Sequence, residues 1–551
     1  MSLASAVLGR RMRLIRPFTH DVVCEQDLRV RMDDGAVLLA DRWVARDSRD
    51  RPQPTVLVRS PYGRRQLVGL IVGRLLAERG LQVVIQSTRG TFGSDGVFNP
   101  FDERGDGLAT IRWLREQPWH SQRIGMIGPS YLGIVQWAVA PEAGDDLRAL
   151  AIQVSASQFH GQTYAGGSLS LQTSASWLVL VAAQERRLAP LMMAVGLRRL
   201  PALLAQSPLS DLDQWVTGAE VAWFREALAN QRREDAYWVA RDYAAGVETV
   251  RTPVQLIGGW WDIFLPWMLE DFSALRAAGR NTQLIIGPWT HTAPGVTAAG
   301  VRDGLAWLRA ELLDDRRLVA PASVRVYVTG ERIGDRWRTL EGWPPPGSGE
   351  RRLWLGEGGT LQHRPPETAS GSGDRYRFDP DEPTPSVGGP TLLESRPVLD
   401  NRELEQRADV LTYTSEPLAD PHEAIGPVRV ELHVRTSSSH FDLFARVCDV
   451  DPAGASWNVC DALTRVDPDR LEPAADGSWR VAFDLWPTAH RFAARHRIRL
   501  QVSSGAHPRY LRNPGTGEDP ISATTTVAVE IEVLRDPDHP SLLVLPAAAA
   551  S

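Results

Sequence analysis

The sequence contains no lysine, so all 61 of its basic residues are arginines. Several catalytic classes depend on a lysine amine: the P-loop nucleotide-binding proteins, the pyridoxal phosphate enzymes and the penicillin-binding hydrolases with their S-x-x-K motif. None of these sites can form in this chain. The sequence also lacks the G-x-G-x-x-G pattern of a dinucleotide-binding turn, so it predicts no organic cofactor.

Cysteine is scarce, with three residues in a chain of 551. Cys24, Cys448 and Cys460 form neither a C-x-x-C pair nor, together with histidine, the spacing of a zinc site. We therefore expect no metal. We interpret the three cysteines as buried small apolar side chains of a protein from a reducing compartment.

Charge of one sign is not in large excess, since 61 basic residues face 67 acidic ones and the formal net charge is −6. This balance gives no attraction to nucleic acid or to an anionic membrane. The longest apolar stretches, near residues 177–183 and 188–197, are shorter than the roughly 20 residues of a membrane span. We expect a cytoplasmic protein without nucleic acid or membrane as a partner; a homo-oligomer is compatible with the sequence.

Short apolar runs alternate with helical periods over residues 55–154. The runs are continuous, as expected of strands buried on both faces of a parallel sheet. They lie at residues 55–58, 82–85, 123–127 and 150–154, and similar runs return at 254–258 and 283–287. Leu108, Ile111 and Leu114 have the spacing of a crossover helix. The pattern therefore predicts one parallel sheet with an interruption.

The interruption and the C-terminal half have different patterns. Residues 155–245 show helical periods without a convincing strand, which predicts a helical insertion. After residue 321, segments rich in proline and glycine separate runs that alternate apolar and polar residues, at 428–434, 497–502 and 525–531. Such runs are typical of antiparallel strands with one wet face, so we predict a β-sandwich or jelly roll over 322–551.

The sharpest local motif is Gly128-Pro-Ser130-Tyr131-Leu-Gly133, which lies between a predicted strand and a predicted helix. The nucleophile elbow of an α/β-hydrolase has this context and the pattern G-x-S-x-G, because its strained turn needs small residues around the serine. Here the second glycine comes one position late. The position of the motif therefore supports a nucleophilic Ser130 more than the motif itself does.

A serine hydroxyl needs a histidine to remove its proton and a carboxylate to orient that histidine. In this fold the order along the chain is serine, acid, histidine. Asp262 and His291 follow the two strands after the insertion, in that order. The alternatives are that Asp262 caps a helix and that His291 is an ordinary buried histidine.

With these motifs the sequence resembles a known family, the cocaine esterase-like hydrolases. This group also contains the X-prolyl dipeptidyl aminopeptidases. The matching segments are Arg59-Ser-Pro-Tyr62, Gln86-Ser-Thr-Arg-Gly90, Gly128-Pro-Ser130-Tyr-Leu-Gly133, Gly259-Trp-Trp-Asp262, Gly287-Pro-Trp-Thr-His291 and Phe378-Asp-Pro. They extend over most of the chain. That family uses G-x-S-Y-x-G, which accounts for the late glycine.

The resemblance implies a three-part architecture that agrees with the composition. It consists of an α/β-hydrolase core in two parts (1–154 and 246–321), an inserted helical cap domain (155–245) and a C-terminal all-β jelly-roll domain (322–551). It also implies that Tyr62 donates its hydroxyl to the oxyanion, with the main-chain amide of Tyr131 as the second donor. The alternative for Tyr62 is a core tyrosine at a strand end.

The acyl pocket is predicted to be apolar. In the related α-amino ester hydrolases, acidic side chains near the acyl group bind the ammonium group of the substrate, whereas this chain has no acid between Asp262 and Glu270. Trp177, Trp261 and Trp289 are candidate substrate contacts, with core packing as the alternative for each.

These observations predict a serine hydrolase that cleaves small-molecule carboxylic esters through an acyl-enzyme, with no cofactor. An amide hydrolase, such as an X-Pro dipeptidyl aminopeptidase or an acylase, would use the same residues. The remaining alternative is a noncatalytic binding protein on a hydrolase scaffold, because fold alone does not establish function.

Overall fold

A computed structural model describes residues 3–319, 323–330, 334–367 and 373–547. The chain divides into two compact units. The first comprises residues 1–159 and 236–325, and the second comprises residues 160–235 and 326–551. The predicted boundary between residues 321 and 322 lies outside the described residues.

Of the predicted insertion (residues 155–245), residues 155–159 and 236–245 fall in the first unit and residues 160–235 in the second unit. Main-chain hydrogen bonds inside that unit give the reason. The amide of Gln172 donates to the carbonyl of Pro508 (3.0 Å), and the amide of Leu209 donates to that of Ile521 (2.8 Å). The insertion therefore shares main-chain bonds with the C-terminal region.

The strands are numbered in chain order. They are β1 (Val22–Arg31), β2 (Val37–Ala45), β3 (Gln53–Ser60), β4 (Gln82–Ser87), β5 (His120–Pro129), β6 (Leu147–Gln153), β7 (Val254–Trp261), β8 (Thr282–Thr290), β9 (Val324–Tyr327), β10 (Thr329–Gly330), β11 (Trp337–Leu340), β12 (Gly349–Gly356), β13 (Thr360–Gln362), β14 (Asp374–Phe378), β15 (Leu411–Ser415), β16 (His422–Thr436), β17 (Asp442–Val450), β18 (Ser456–Arg465), β19 (Trp479–Phe492), β20 (Arg497–Ser503), β21 (Val529–Leu534) and β22 (Leu542–Ala547).

The helices are numbered in the same way. They are α1 (Leu3–Arg11), α2 (Gln66–Val68), α3 (Leu75–Ala77), α4 (Arg104–Arg115), α5 (Tyr131–Trp137), α6 (His160–Thr163), α7 (Leu171–Ala183), α8 (Ala189–Leu204), α9 (Leu212–Thr217), α10 (Ala222–Ala229), α11 (Ala236–Val239), α12 (Leu265–Ala277) and α13 (Pro294–Leu313).

The first unit is built around a mostly parallel sheet with the strand order β1-β2-β4-β3-β5-β6-β7-β8. Strands β3 to β8 run parallel to one another, while β1 and β2 add two antiparallel strands beside β4. The six predicted apolar runs coincide with strands of this sheet, except that Val154 directly follows β6, and α4 contains the predicted crossover helix. The prediction of an α/β-hydrolase core is confirmed.

Helix α13 packs closely against the middle of this sheet because small residues face it. A Cβ atom added at Gly125 on β5 would lie 2.7 Å from a methyl group of Leu308. In return, the main-chain carbonyl of Gly300 on α13 accepts a hydrogen bond from the side-chain amide of Gln153 (2.9 Å). This contact fixes the end of β6 next to the strand that leads to Ser130.

The second unit contains helices α6 to α10 and a β-rich region, of which the β-rich region confirms the prediction. The longest strand is β16, in which Val428, Val430, Leu432 and Val434 are completely buried and alternate with more polar residues. It pairs with β19, β21 and β22. The strand predicted at 525–531 begins only at Val529.

Strands of the second unit enclose a buried cluster of charged groups. Arg446 on β17 donates to Asp461 on β18 from two nitrogens (3.0 and 2.8 Å), and Arg509 donates to the other carboxylate oxygen (2.6 Å). Arg446 also donates to the side-chain carbonyl of Asn401 (2.6 Å). A buried carboxylate with two guanidinium partners satisfies the rule that interior charges are paired.

The three cysteines are not joined in disulfides: Cys448 and Cys460 are buried and Cys24 is half-buried. Burial raises the pKa of the Cys448 thiol to about 12. Within the described ranges, no helix is long and apolar enough to cross a membrane. The same residues contain no group of three or more histidine, cysteine or acidic side chains that could hold a metal ion.

Candidate active site

Four candidate residues follow parallel strands of the first unit. Tyr62 comes two residues after β3, Ser130 directly after β5, Asp262 directly after β7 and His291 directly after β8. The carboxyl ends of parallel strands lie along one edge of a sheet, which is where open α/β folds bind their ligands. The topology therefore collects these residues at that edge.

Ser130 occupies a strained turn between β5 and α5. Its φ and ψ angles are 56° and −123°, a combination that costs a residue other than glycine about 1–3 kcal/mol. The amide of Ser130 donates to the carbonyl of Gln153 (2.9 Å), and the carbonyl of Ser130 accepts from Gly133 (2.8 Å). The side chain of Ser130 therefore lies at the carboxyl end of β5 and is partly exposed.

The two glycines of the motif permit this turn. A Cβ atom at Gly128 would lie 2.3 Å from the Cβ of Leu132, and one at Gly133 would lie 2.5 Å from the Cβ of Ser155. Both distances are far below van der Waals contact. The second glycine is needed where α5 passes the loop after β6, which explains why it stands one position later than in G-x-S-x-G.

Asp262 and His291 are in direct contact. The imidazole Nδ1 of His291 lies 2.6 Å from Oδ1 of Asp262. His291 is 8% exposed and Asp262 is 0% exposed. Since the carboxylate accepts, Nδ1 carries the hydrogen and Nε2 can accept a proton. The alternative of a helix cap does not hold for Asp262, because Phe264 occupies the N-cap position of α12.

The two tyrosines proposed for the oxyanion lie side by side. Their ring centroids are 6.4 Å apart, with the rings edge to face. The amide of Tyr62 donates to the hydroxyl of Ser60 (3.1 Å), which fixes the turn after β3. Tyr62 is half-buried, whereas Tyr131 is 2% exposed.

A buried network that sequence reasoning missed holds the Tyr131 phenol. Its hydroxyl donates to Oε1 of Glu103 (2.6 Å) and accepts from the amide of Phe101 (3.0 Å). The other oxygen of Glu103 pairs with Arg59 (2.7 Å). Burial raises the pKa of Tyr131 well above its usual value, so the phenol stays a neutral donor. Arg59 stands in a segment that matches the family, but no sequence signal linked it to Glu103.

Aromatic residues next to the histidine were also missed. The Phe264 ring lies 5.7 Å from the His291 ring and 5.7 Å from Phe159, which stacks on Phe101 at 3.7 Å. Phe264 is two residues after Asp262, in the apolar segment that the sequence analysis noted only for its lack of acids. These rings form an apolar surface beside His291.

The three candidate tryptophans occupy different surroundings. Trp289 lies over glycines, since a Cβ atom at Gly287 would be 2.5 Å from its ring, which favours a packing role. Trp261 is half-buried and directly precedes Asp262. Trp177 belongs to the second unit, where its ring packs against Trp223 at 5.0 Å.

The fold and the arrangement at the sheet edge define a class of protein, the serine hydrolases of the α/β-hydrolase type. Residues 34–293 match the model of the X-Pro dipeptidyl-peptidase (S15 family), and residues 319–544 match that of the X-Pro dipeptidyl-peptidase C-terminal non-catalytic domain. The chain belongs to this family of cocaine esterase-like hydrolases.

The family assignment is supported by relatives over nearly the full chain. The sequence is 30% identical to the cocaine esterase of Rhodococcus sp. (strain MB1 Bresler) over 571 aligned positions, covering 94% of this chain and 97% of that protein. The noncatalytic alternative is left without support, because the family and this relative indicate a serine hydrolase.

Solved structures agree on the fold. An α-amino acid ester hydrolase superposes with a TM-score of 0.80 at 21% identity, covering 96% of this chain and 97% of the other. An aminopeptidase from the marine sediment archaeon Thaumarchaeota archaeon superposes with a TM-score of 0.79 at 22% identity, covering 96% of both chains.

Proposed function

We propose that this protein is a serine carboxylesterase that works through an acyl-enzyme. Ser130 is the nucleophile, His291 the general base and acid, and Asp262 the group that orients His291. The observation that carries the proposal is the 2.6 Å contact between Asp262 and Nδ1 of His291, at the carboxyl ends of strands in the same parallel sheet whose strand β5 leads into the strained turn of Ser130.

The chemistry follows from the tautomer that this contact selects. With the Nδ1 hydrogen donated to Asp262, Nε2 of His291 accepts the proton of the Ser130 hydroxyl as Oγ bonds to the ester carbonyl carbon. The imidazolium then returns that proton to the alcohol as the C–O bond breaks. Water repeats the sequence on the acyl-enzyme, which releases the acid and restores Ser130.

The oxyanion that forms in each step is proposed to accept two hydrogen bonds, from the Tyr62 hydroxyl and from the Tyr131 amide. The edge-to-face contact of the two rings supports this pairing, since both residues lie directly beside the nucleophile turn. Donors that are fixed before the reaction stabilise the developing charge without reorganisation.

The acyl group is proposed to be uncharged and apolar or aromatic. The buried side chains of Ile263, Phe264 and Leu265 follow Asp262 directly, and Phe264 faces His291. The next acidic residues are Glu270, which is exposed, and Asp271, which accepts two hydrogen bonds from Ser157. An ammonium group of a substrate would therefore find no acidic partner among residues 263–265.

The test is hydrolysis of short acyl nitrophenyl esters by the purified protein and by Ser130→Ala prepared in parallel. We expect nitrophenol release by the parent and a loss of at least about 10³-fold in the variant, as for other triad serines. A fluorophosphonate probe should label the parent and not the variant. Undiminished turnover by Ser130→Ala would exclude the proposed mechanism.

An amide hydrolase is the second candidate, because the matched family model describes an X-Pro dipeptidyl-peptidase. The same triad can expel an amine, so the two activities differ only in the leaving group and in acyl recognition. Measuring kcat/KM for an X-Pro nitroanilide and for the matching ester separates them. We expect the ester to react faster; a faster amide would reverse the assignment.

A further inference from the structure

The network around Tyr131 connects a buried ion pair to the residue next to the nucleophile. We propose that Glu103 is a positioning residue which, together with Arg59, holds Tyr131 through its phenol and so aims the Tyr131 main-chain amide at the oxyanion. This inference rests on the proposed function, because it concerns the same oxyanion site.

Two hydrogen bonds hold the Tyr131 hydroxyl in one orientation. A tyrosine hydroxyl has one hydrogen to donate, and Glu103 takes it at 2.6 Å, while the Phe101 amide occupies an acceptor position at 3.0 Å. Tyr131 is the first residue of α5, directly after Ser130. Fixing the far end of this side chain therefore restricts how the first turn of α5 can rotate.

Glu103 is fixed in turn by both of its carboxylate oxygens. One accepts from Tyr131, and the other pairs with Arg59, which is 0% exposed and also donates to the Glu103 main-chain carbonyl (3.0 Å). A glutamine has one oxygen and one amide nitrogen at the same places. It can accept from the phenol or from the guanidinium, but not from both.

The segment that carries Glu103 is held independently. The amide of Glu103 donates to the hydroxyl of Tyr243 (3.2 Å), and that hydroxyl donates to the carbonyl of Phe101. Phe101 has a φ of 71°, a strained value for a phenylalanine. A strained segment with this many fixed bonds can serve as a rigid support for Tyr131.

Stability alone does not account for the network. Replacing a buried ion pair by apolar side chains of similar volume is often neutral or stabilising, because the desolvation of both charges is avoided. The charged arrangement instead fixes the orientation of the Tyr131 side chain, because charge-assisted hydrogen bonds are short and geometrically selective. Arg59 lies on β3, three residues before Tyr62, so the network also includes the strand that leads to the other proposed donor.

The experiment compares Tyr131→Phe and Glu103→Gln with Tyr413→Phe. Tyr413 is a matched control: its buried phenol donates to Asp374 (2.9 Å) in the second unit. For each variant we would measure kcat and KM with a nitrophenyl ester, the inhibition constant of an alkyl boronic acid that mimics the tetrahedral intermediate, and active-site concentration by phosphonate titration.

For Tyr131→Phe we expect kcat per active site to fall about tenfold with KM within about twofold, less than the loss of a complete donor, which costs about 10²–10³. The boronate constant should rise by the same factor as kcat/KM falls, since both report the oxyanion site. Glu103→Gln should shift both values in the same direction. Tyr413→Phe should leave both at the parent values.

Parent-like kcat and boronate affinity in Tyr131→Phe and Glu103→Gln, with only a lower unfolding temperature, would reduce the network to a structural role. A Ser130→Ala arm separates the two proposals. If Ser130→Ala is inactive while the other variants are parent-like, only the positioning role falls. If Ser130→Ala keeps full activity, the proposed function fails and the positioning role with it.

Discussion

The two units each bury an arginine–carboxylate network, and the two networks differ in how completely they are satisfied. In the second unit, Arg446 uses all three guanidinium nitrogens, with bonds to Asp461, to Asn401 and to a main-chain carbonyl. In the first unit, Nη2 of Arg59 has no hydrogen-bond partner within the described residues. Both arginines are completely buried.

The carboxylates differ in their partners, although both oxygens of each are bonded. Asp461 gives both oxygens to arginines, whereas Glu103 gives one oxygen to Arg59 and the other to Tyr131. Complete satisfaction is expected where a network only supports a fold, and local departures from it are expected near functional sites. The comparison predicts that changes in the first network alter rate as well as stability, whereas changes in the second alter stability alone.

The largest effect is expected from Asp262→Asn in the first unit. An asparagine keeps the size of the side chain but loses the charge and favours the wrong tautomer of His291, so kcat should fall about 10⁴-fold. The unfolding temperature should stay close to that of the parent. Ester hydrolysis measures kcat and a thermal melt of the same sample measures the unfolding temperature. A stable variant with high activity would remove Asp262 from the proposed triad.

The next effect is expected in the second unit, from Asp461→Ala. Arg446 and Arg509 would lose their shared carboxylate, and an uncompensated buried charge typically costs about 3–5 kcal/mol. Urea unfolding should show this loss with per-site turnover unchanged. Glu350→Ala is the control, because its pair with Arg352 is exposed on both sides and such pairs contribute about 0–1 kcal/mol. Equal effects of the two variants would contradict the comparison.

A smaller effect on rate is expected from Tyr62→Phe. Removing one oxyanion donor should lower kcat about 10²–10³-fold while KM changes little, because the bond is made in the transition state. Stability should be nearly unchanged, since the hydroxyl belongs to a half-buried side chain. Steady-state kinetics with a nitrophenyl ester decide the matter; a loss of less than threefold would assign Tyr62 to packing.

The last effect concerns pH in the first unit, and it is the smallest when taken for a single step of one pH unit. Burial raises the pKa of Asp271 to about 8, against the hydrogen bonds from Ser157. Between about pH 4 and 8 the native state then holds a proton that the unfolded state has lost. The free energy of unfolding should therefore decrease with rising pH, by about 1.4 kcal/mol per unit.

Asp271→Asn should abolish this contribution, because asparagine does not titrate. Thermal melts of parent and variant at pH 5, 6, 7 and 8 would show the stability of the variant rising relative to the parent as the pH increases. A difference that stays constant over this range would mean that Asp271 is ionised throughout in the native state.

The core elements could be predicted because their signals are local. Strands that are buried on both faces need continuous apolar runs, and the residues after such runs, including Ser130, Asp262 and His291, are known from the chain alone. Strand β1 gave no such signal, since most of its residues are partly exposed and its pairing with β2 is irregular between Glu25 and Leu28.

Contacts between distant residues could not be predicted in the same way. Glu103 lies 44 residues from Arg59 and 28 from Tyr131, and nothing in one sequence pairs them. The alternation at 525–531 likewise did not reveal that Val527 is exposed and that its amide bonds to Pro514 instead of a neighbouring strand. Periodicity reports the burial of a segment, not its partner.

The backbone of Ser130 has an evolutionary consequence. Glycine would adopt its φ of 56° without the strain of about 1–3 kcal/mol that serine bears, a gain larger than the roughly 0.5–1 kcal/mol of extra backbone entropy that glycine loses on folding. Most lineages tolerate small losses of stability, but this position offers a gain to any lineage that no longer needs a nucleophile. If Ser130 is the nucleophile, we therefore expect a glycine at the same position of a homologue only where this chemistry has been lost.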